Sequence, residues 1–275
     1  MPVTLWAAGA GFGVYRNSAL NLHPDKAWFR AWTYQDTDFQ GGSMTETGIL
    51  DHPHEHAMAI RYQQRSAEIK ALQRQCYALA TLRLRATVEA AGGSGAGLAV
   101  VSDIDETILD NAAVMAHAMS RPTGQDKIDI WKLWEREGQP HLIPGAADFF
   151  ELADELGVTI FYVSDRFDEN KIATIATLSR LGLPQADADH VRLLGPPKAE
   201  RRIAIEKSHR IILLLGDTLH DFDDAFAGSP LEEQHRLTEE HARRFGEDWI
   251  VFPNAGHGTW MEAELLPWDA PIRSL

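Results

Sequence analysis

Cysteine is almost missing from this chain of 275 residues, and Cys76 is the only one. No intrachain disulfide can form, and no cysteine-based metal site can be built. Cys76 falls in an apolar helical stripe and reads as a buried, inert thiol. Long apolar runs are missing as well. No stretch of about 18 apolar residues occurs, which excludes a transmembrane helix. Residues 1–14 lack a basic leader, and Gly9, Gly11 and Gly13 interrupt their apolar character. With no cysteine near the start to carry a lipid, the sequence as written predicts a cytoplasmic protein. Basic residues are in deficit, 26 Lys and Arg against 40 Asp and Glu, for a net charge of −14. That balance argues against a nucleic-acid polymer as partner and against a basic membrane-surface protein. An anionic substrate would have to meet a site that is locally positive. Internal repeats and low-complexity segments are absent too.

What is present fits one large domain, or one core with a smaller appendage. Residues 1–55 show no clear period and read as an irregular wrapping segment. His52, His54 and His56 within it read as a polar loop, because no carboxylate or cysteine completes a metal set. Residues 57–91 read as one long helix with Ile69, Leu72, Cys76, Leu79 and Leu82 on its apolar stripe. Gly92, Gly93, Gly95 and Gly97 end it. Apolar runs at 98–102, 158–163, 191–194, 210–215 and 249–252 alternate with helical stretches at 145–156, 168–181 and 198–207. Ser229-Pro230-Leu231-Glu232 combines a capping box with proline at the first helical position, predicting a helix to Phe245 that stops at Gly246. Strands alternating with helices predict an α/β fold, a doubly wound parallel sheet of about five strands. Residues 108–143 read as an excursion from that sheet, a small and mainly helical cap. The domain proper would then span 56–275.

Chemistry is concentrated where the apolar runs stop. The first ends in Asp103-x-Asp105-x-Thr107. Two carboxylates two residues apart at the end of a buried strand are costly unless a cation neutralises them. The second is followed by Ser164-Asp165-Arg166, whose hydroxyl could hold a phosphate oxygen or serve a turn. Lys198 follows Gly195-Pro196-Pro197 at a helix start, where the helix dipole disfavours a cation. It reads as a point charge facing an anion, or as a surface lysine. The fourth run ends in Gly216-Asp217-Thr218-Leu219-His220-Asp221. Asp217 and Asp221 can face one cavity, an oxygen-rich set that suits Mg²⁺. His220 between them reads as a solvated turn residue.

Taken together, these motifs resemble those of the haloacid dehalogenase (HAD) superfamily of phosphohydrolases. The likeness is closer than that. Asp103-Ile104-Asp105-Glu106-Thr107-Ile108-Leu109-Asp110-Asn111 is similar to the Asp-x-Asp-Glu-Thr-x-Leu-Asp-Asn of class C acid phosphatases, the lipoprotein-type 5′-nucleotidase group. Phe161 to Arg166, Gly216 to Phe222, and Pro253-Asn254 through Gly258-Thr259-Trp260 follow the same pattern, over residues 60–262 or so. Two departures stand out. The family is typically exported, and its members usually carry an aromatic residue where His257 stands here.

The resemblance implies a Mg²⁺-dependent phosphomonoesterase with an HAD-like Rossmannoid sheet. Asp103 would be the nucleophile and Asp105 the proton donor and acceptor, with Thr107 orienting Asp105. Mg²⁺ would be held by Asp103, the Asp105 carbonyl and Asp217, with Asp221 in support. Ser164 and Lys198 would bind the phosphoryl oxygens. Arg166 would add positive potential or point outward in a structural role. Leu109, Trp131, Trp134, His257 and Trp260 are candidates for the leaving-group pocket, and an aromatic pair there could stack a nucleobase. Trp131 and Trp134, three apart on a helix, could equally be core. The implied substrate is a small phosphomonoester, a nucleoside monophosphate among the candidates. A homo-oligomer stays open. So do a phosphotransferase using the same intermediate and a non-catalytic storage or binding protein on the same fold.

Overall fold

The computed structural model describes residues 53–119 and 126–262. The irregular segment expected at 1–55 therefore lies outside the described residues, except for its last three. These already belong to a helix, α1 (Pro53–Arg65). The single long helix expected at 57–91 is two. Ser66 leaves the helical conformation (φ −73°, ψ 138°), and its side chain accepts from the Ile69 N–H, capping α2 (Ala67–Ala90). A serine hydroxyl satisfies one of the orphan donors at a helix start, so the chain breaks where that cap is available.

The buried face of α2 also differs from the expected stripe. It runs through Ile69, Gln73, Tyr77, Ala80, Leu84 and Val88. Leu72 and Leu82 are 40% and 61% exposed. Gln73 and Tyr77 carry polar atoms and so drop out of a purely apolar count, which rotates the apparent stripe. Tyr77 packs against Phe149, Phe150 and Phe252 and donates its hydroxyl to the Thr107 carbonyl at 2.7 Å.

The five expected strands are all present. They are β1 (Leu98–Ser102), β4 (Thr159–Val163), β5 (Val191–Arg192), β6 (Arg210–Gly216) and β7 (Trp249–Val251). They form one parallel sheet in the order β5-β4-β1-β6-β7. β1 lies at its centre, buried along its whole length. Alternate residues serve opposite faces, as the pleat demands. Leu98 and Val100 join the core on one side, with Tyr77, Phe149 and Phe150. Ala99 and Val101 join the core on the other, with Ile205, Phe222, Leu237 and Trp249.

Between β1 and the next large helix the chain leaves the sheet. Two short antiparallel strands, β2 (Leu109–Asp110) and β3 (His141–Leu142), bracket α3 (Ala112–Met119) and α4 (Asp126–Glu137). Gly145 then opens α5 (Ala146–Glu155) at φ +99°. A Cβ there would come within 2.9 Å of the Tyr77 Cβ, so both the backbone and the packing call for glycine. α6 (Lys171–Arg180) and α7 (Lys198–Glu206) complete the crossovers flanking β5.

The last helix, α8 (Leu231–Glu240), is shorter than the span expected to Phe245. Ser229 does not cap it. Its hydroxyl donates to the Phe226 carbonyl instead, and Pro230 takes the cap position. Beyond Glu240 the chain turns so that Phe245 bridges to Trp249 and packs on its ring. That aromatic contact outweighs the helical continuation.

Candidate active site

Because the sheet is parallel, the ends of β1, β4 and β6 meet at one edge. Asp103 follows β1 and is anchored there by its N–H to the Leu215 carbonyl at 2.9 Å. The chain then turns tightly. Ile108 and Leu109 both donate to the Ile104 carbonyl, and Glu106 adopts φ +56°. A left-handed glutamate is unusual and persists only when its surroundings hold it. Glu106 is fully buried, accepts the Asn111 N–H at 3.0 Å, and meets His257 Nε2 at 3.3 Å.

Asp105 is gripped from three sides. Arg166 donates Nε and Nη2 to its carboxylate at 2.7–3.0 Å. Asn111 Nδ2 donates at 2.8 Å, and Ser164 Oγ lies 3.4 Å away. Arg166 is therefore buried and faces inward, onto Asp105, and does not point outward. The Thr107 hydroxyl does not orient Asp105. It reaches Asp217 Oδ1 at 3.5 Å, while Arg166 and Asn111 fill the places around Asp105.

Asp217, after β6, accepts from Asn254 Nδ2 at 2.7 Å and lies 3.7 Å from His257 Nε2. Asp221 is folded back by a 3₁₀ turn, its Oδ2 taking the Thr218 N–H and hydroxyl. Any Cβ on Gly216 would fall 2.4 Å from the Asp221 Cβ, so that glycine makes the turn possible. Lys198, at the start of α7, places Nζ 2.6 Å from Asp103 Oδ1 and 2.5 Å from Asp221 Oδ1. It is buried and is no surface lysine.

Asp103, Asp217 and Asp221 bring carboxylate oxygens within 4.8 Å of one another. Burial holds Asp103 well above the usual carboxylate range, with Lys198 opposing and the other acids reinforcing. Burial also raises Asp217, against His257 and the Asn254 hydrogen bond. Asp221 goes the other way, because Lys198 overrides its burial. His257 is disfavoured as a cation by burial, yet its Glu106 hydrogen bond and the Asp217 charge lift it to about 9.

Behind this cluster lies a supporting layer. Asp165 pairs with Arg201 at 2.6 Å and sits 3.5 Å from His220 Nε2. Burial alone would raise it, but Lys198, His220 and Arg201 hold it well below the usual range. His220, on the 3₁₀ turn Leu219–Asp221, is thus only 18% exposed and faces the site's acids. Arg201 also donates to the Ser164, Arg192 and Leu193 carbonyls, tying two strand ends together.

A cavity of about 210 Å³ opens over the acids. Asp103, Asp105, Ser164, Lys198 and Asp217 line its floor, and Ile128, Trp131, Leu219, His257 and Trp260 contribute to its walls. Leu109 does not line it. It is completely buried in the main core, because it pairs with Leu142 across β2 and β3. Trp134 stands off the cavity and donates Nε1 to Asn111 Oδ1 at 2.7 Å. Asn111 and Asn254 lie within the motifs at 103–111 and 253–260. Their contacts with Asp105 and Asp217 span 6 and 37 residues. Nothing in a single sequence marks them.

An open parallel sheet carrying an acidic pair at the end of its central strand, with a lysine and further acids from neighbouring strand ends, defines a phosphohydrolase of HAD type. A family model described as HAD superfamily, subfamily IIIB (acid phosphatase) matches residues 45–260. The crystal structure of a class C acid phosphatase from Bacillus anthracis with tungstate bound is 32% identical, covering 81% of this chain and 95% of that one, with a TM-score of 0.71. A second structure of the class C acid phosphatase from Bacillus anthracis matches at 32% identity over 81% and 94%, also with a TM-score of 0.71. The chain belongs to HAD subfamily IIIB and is an acid phosphatase, a hydrolase of phosphoric monoesters.

Proposed function

We propose that this phosphatase is Mg²⁺-dependent, works through an aspartyl-phosphate on Asp103, and prefers nucleoside monophosphates. The observation that carries the reading is the meeting of Asp103, Asp217 and Lys198 at the floor of one cavity, with Asp221 buried against Lys198 beneath them.

The residues fit a divalent cation. Lys198 pairs with two of the three carboxylates, Asp103 and Asp221, and burial with mutual repulsion raises Asp103 and Asp217. A hard cation with oxygen ligands would relieve that repulsion. The carboxylates of Asp103, Asp217 and Asp221 would hold it, with the main-chain carbonyl of Asp105. When bound, it supplies positive charge to the phosphoryl oxygens. The Asp105 side chain is not a ligand in this reading, since Arg166 holds it elsewhere.

Asp103 attacks phosphorus, and the bond to the ester oxygen breaks. Asp105 gives its proton to the departing alkoxide. A water then attacks the aspartyl-phosphate and passes a proton to Asp105, and the bond from phosphorus to Asp103 breaks, releasing phosphate. Lys198 Nζ and Ser164 Oγ stabilise the equatorial oxygens during both displacements. The tungstate in the Bacillus anthracis relative, a tetrahedral oxyanion, supports an oxyanion site of this kind.

The apolar wall supports the nucleotide preference. Trp131 and Trp260 offer aromatic faces beside the phosphate floor, where a base could stack.

Asp103→Asn, assayed on p-nitrophenyl phosphate and 5′-nucleotides with Mg²⁺ and with EDTA, tests the reading. Turnover should disappear while the circular dichroism spectrum stays native. Full activity in the variant would end the nucleophile assignment, and full activity of the wild type in EDTA would end the metal assignment.

A further inference from the structure

Helix α4 reaches the site through three residues spaced so that they share a face. Trp131 lines the cavity. Trp134 holds Asn111, which in turn holds Asp105. Glu135 stands four residues after Trp131 and touches neither Asp105 nor the cavity.

Glu135 is 1% exposed and meets the loop that follows β4. Its Oε2 accepts from the Phe167 N–H at 3.1 Å and from Asn170 Nδ2 at 2.8 Å. Asn170 also donates to the Lys132 carbonyl at 3.1 Å, so loop and helix are tied twice. The other oxygen, Oε1, is buried and makes no hydrogen bond to the described residues. A buried carboxylate with an unmet acceptor costs stability, so its presence calls for an explanation beyond packing.

The loop it holds is the one that matters for proton transfer. Phe167 directly follows Arg166, whose Nε and Nη2 carry the Asp105 carboxylate. Glu135 and the Arg166 guanidinium also attract one another, and each stabilises the charged form of the other.

We propose that Glu135 is a positioning residue for Asp105, fixing the Arg166–Phe167 backbone so that the carboxyl group of Asp105 meets the leaving oxygen. The same helix carries Trp131, so the tie also couples the pocket wall to the proton donor. This rests on the reading of Asp105 as that donor, and the test separates the two.

The test is kcat/KM on two esters. An alkyl phosphate needs its leaving oxygen protonated, whereas p-nitrophenyl phosphate departs with little help. Asp105→Asn is the reference and should lose far more activity on the alkyl ester. Glu135→Ala should lose about tenfold on the alkyl ester and under about threefold on the aryl ester, a fraction of what general acid catalysis supplies. Glu135→Gln, which keeps the acceptor, should restore the ratio. A merely structural role would lower both esters equally.

Equal losses in Glu135→Ala, or none, overturn the positioning role while leaving Asp105 as the donor. Equal losses in Asp105→Asn remove the donor reading and the positioning role with it. Asn170→Ala cuts the same tie from the loop side and should show the same skew. It decides the matter if Glu135→Ala does not fold.

Discussion

Lys198 Nζ lies 2.6 Å from Asp103 Oδ1, and both side chains are only 7% exposed. An ammonium at a helix start works against the helix dipole, so its position needs the acids it faces. Lys198→Met should therefore leave Asp103 and Asp221 without the charge they pair with. Breaking a buried pair of this kind costs about 3–5 kcal/mol, which urea unfolding in EDTA would read. Mg²⁺ should return part of that loss, because it meets the same carboxylates. Unchanged stability in EDTA would contradict the pairing, and kcat should fall by about 10²-fold or more as for other lost oxyanion donors.

Asp217 offers a metal test that needs no turnover. A ligand that binds only the folded state stabilises it by about 2.7 kcal/mol at a hundredfold excess over Kd. For a domain of this size that is about 5–10 °C in Tm. Calorimetry should show this rise with Mg²⁺ in the wild type and its loss in Asp217→Asn. An equal rise in both would place the cation elsewhere.

Glu135 makes a prediction with a definite sign. Burial pushes its carboxyl up from 4.5 to about 7, with the Asn170 hydrogen bond and Arg166 opposing and the Asp105 charge adding. The folded state then binds the proton more tightly than the unfolded one. Stability from this group is complete below pH 4.5, falls as pH rises towards 7, and is level above. The linkage amounts to about 3 kcal/mol. Glu135→Gln has no such group to titrate. Its stability relative to wild type should rise by about that amount between pH 4.5 and 8. A constant difference would mean that Glu135 is not held in a low-dielectric site.

The strands and the site acids were legible because they obey local rules. A buried parallel strand is an uninterrupted apolar run, and its chemistry follows immediately in sequence. The face of α2 was not legible because partners far along the chain decide it, while the cap at Ser66 and the end of α8 turn on contacts three and four residues away that an apolar periodicity does not weigh. Tyr77 is buried by Phe149, Phe150 and Phe252, and Phe245 is pulled out of α8 by Trp249. Leu109 stands among the pocket candidates that the family resemblance implies. The tight turn at Glu106 sends it into the core instead. The residues that hold the acids, among them Asn111, Asn254 and Glu135, carry no local signature, since an amide or a carboxylate on a helix is ordinary until its partner is known.

Trp131 and Trp134 stand three residues apart on α4, and the sequence could not separate them. The structure gives them different work. Trp131 lines the cavity, so Trp131→Ala should act on substrate binding. Losing one stacked base costs about 1–3 kcal/mol, or about 5–150-fold in KM for a nucleoside monophosphate. A small alkyl phosphate, which has no base to stack, should keep its KM. Trp134 instead spends its N–H on Asn111 Oδ1, one step behind Asp105. Trp134→Phe keeps the bulk of the ring and removes that donor. It should lower kcat several-fold for esters with poor leaving groups, with KM unchanged for nucleotide and alkyl ester alike. If both variants raised KM for every substrate, the helix would be a simple wall, and the division of work between Trp131 and Trp134 would be lost.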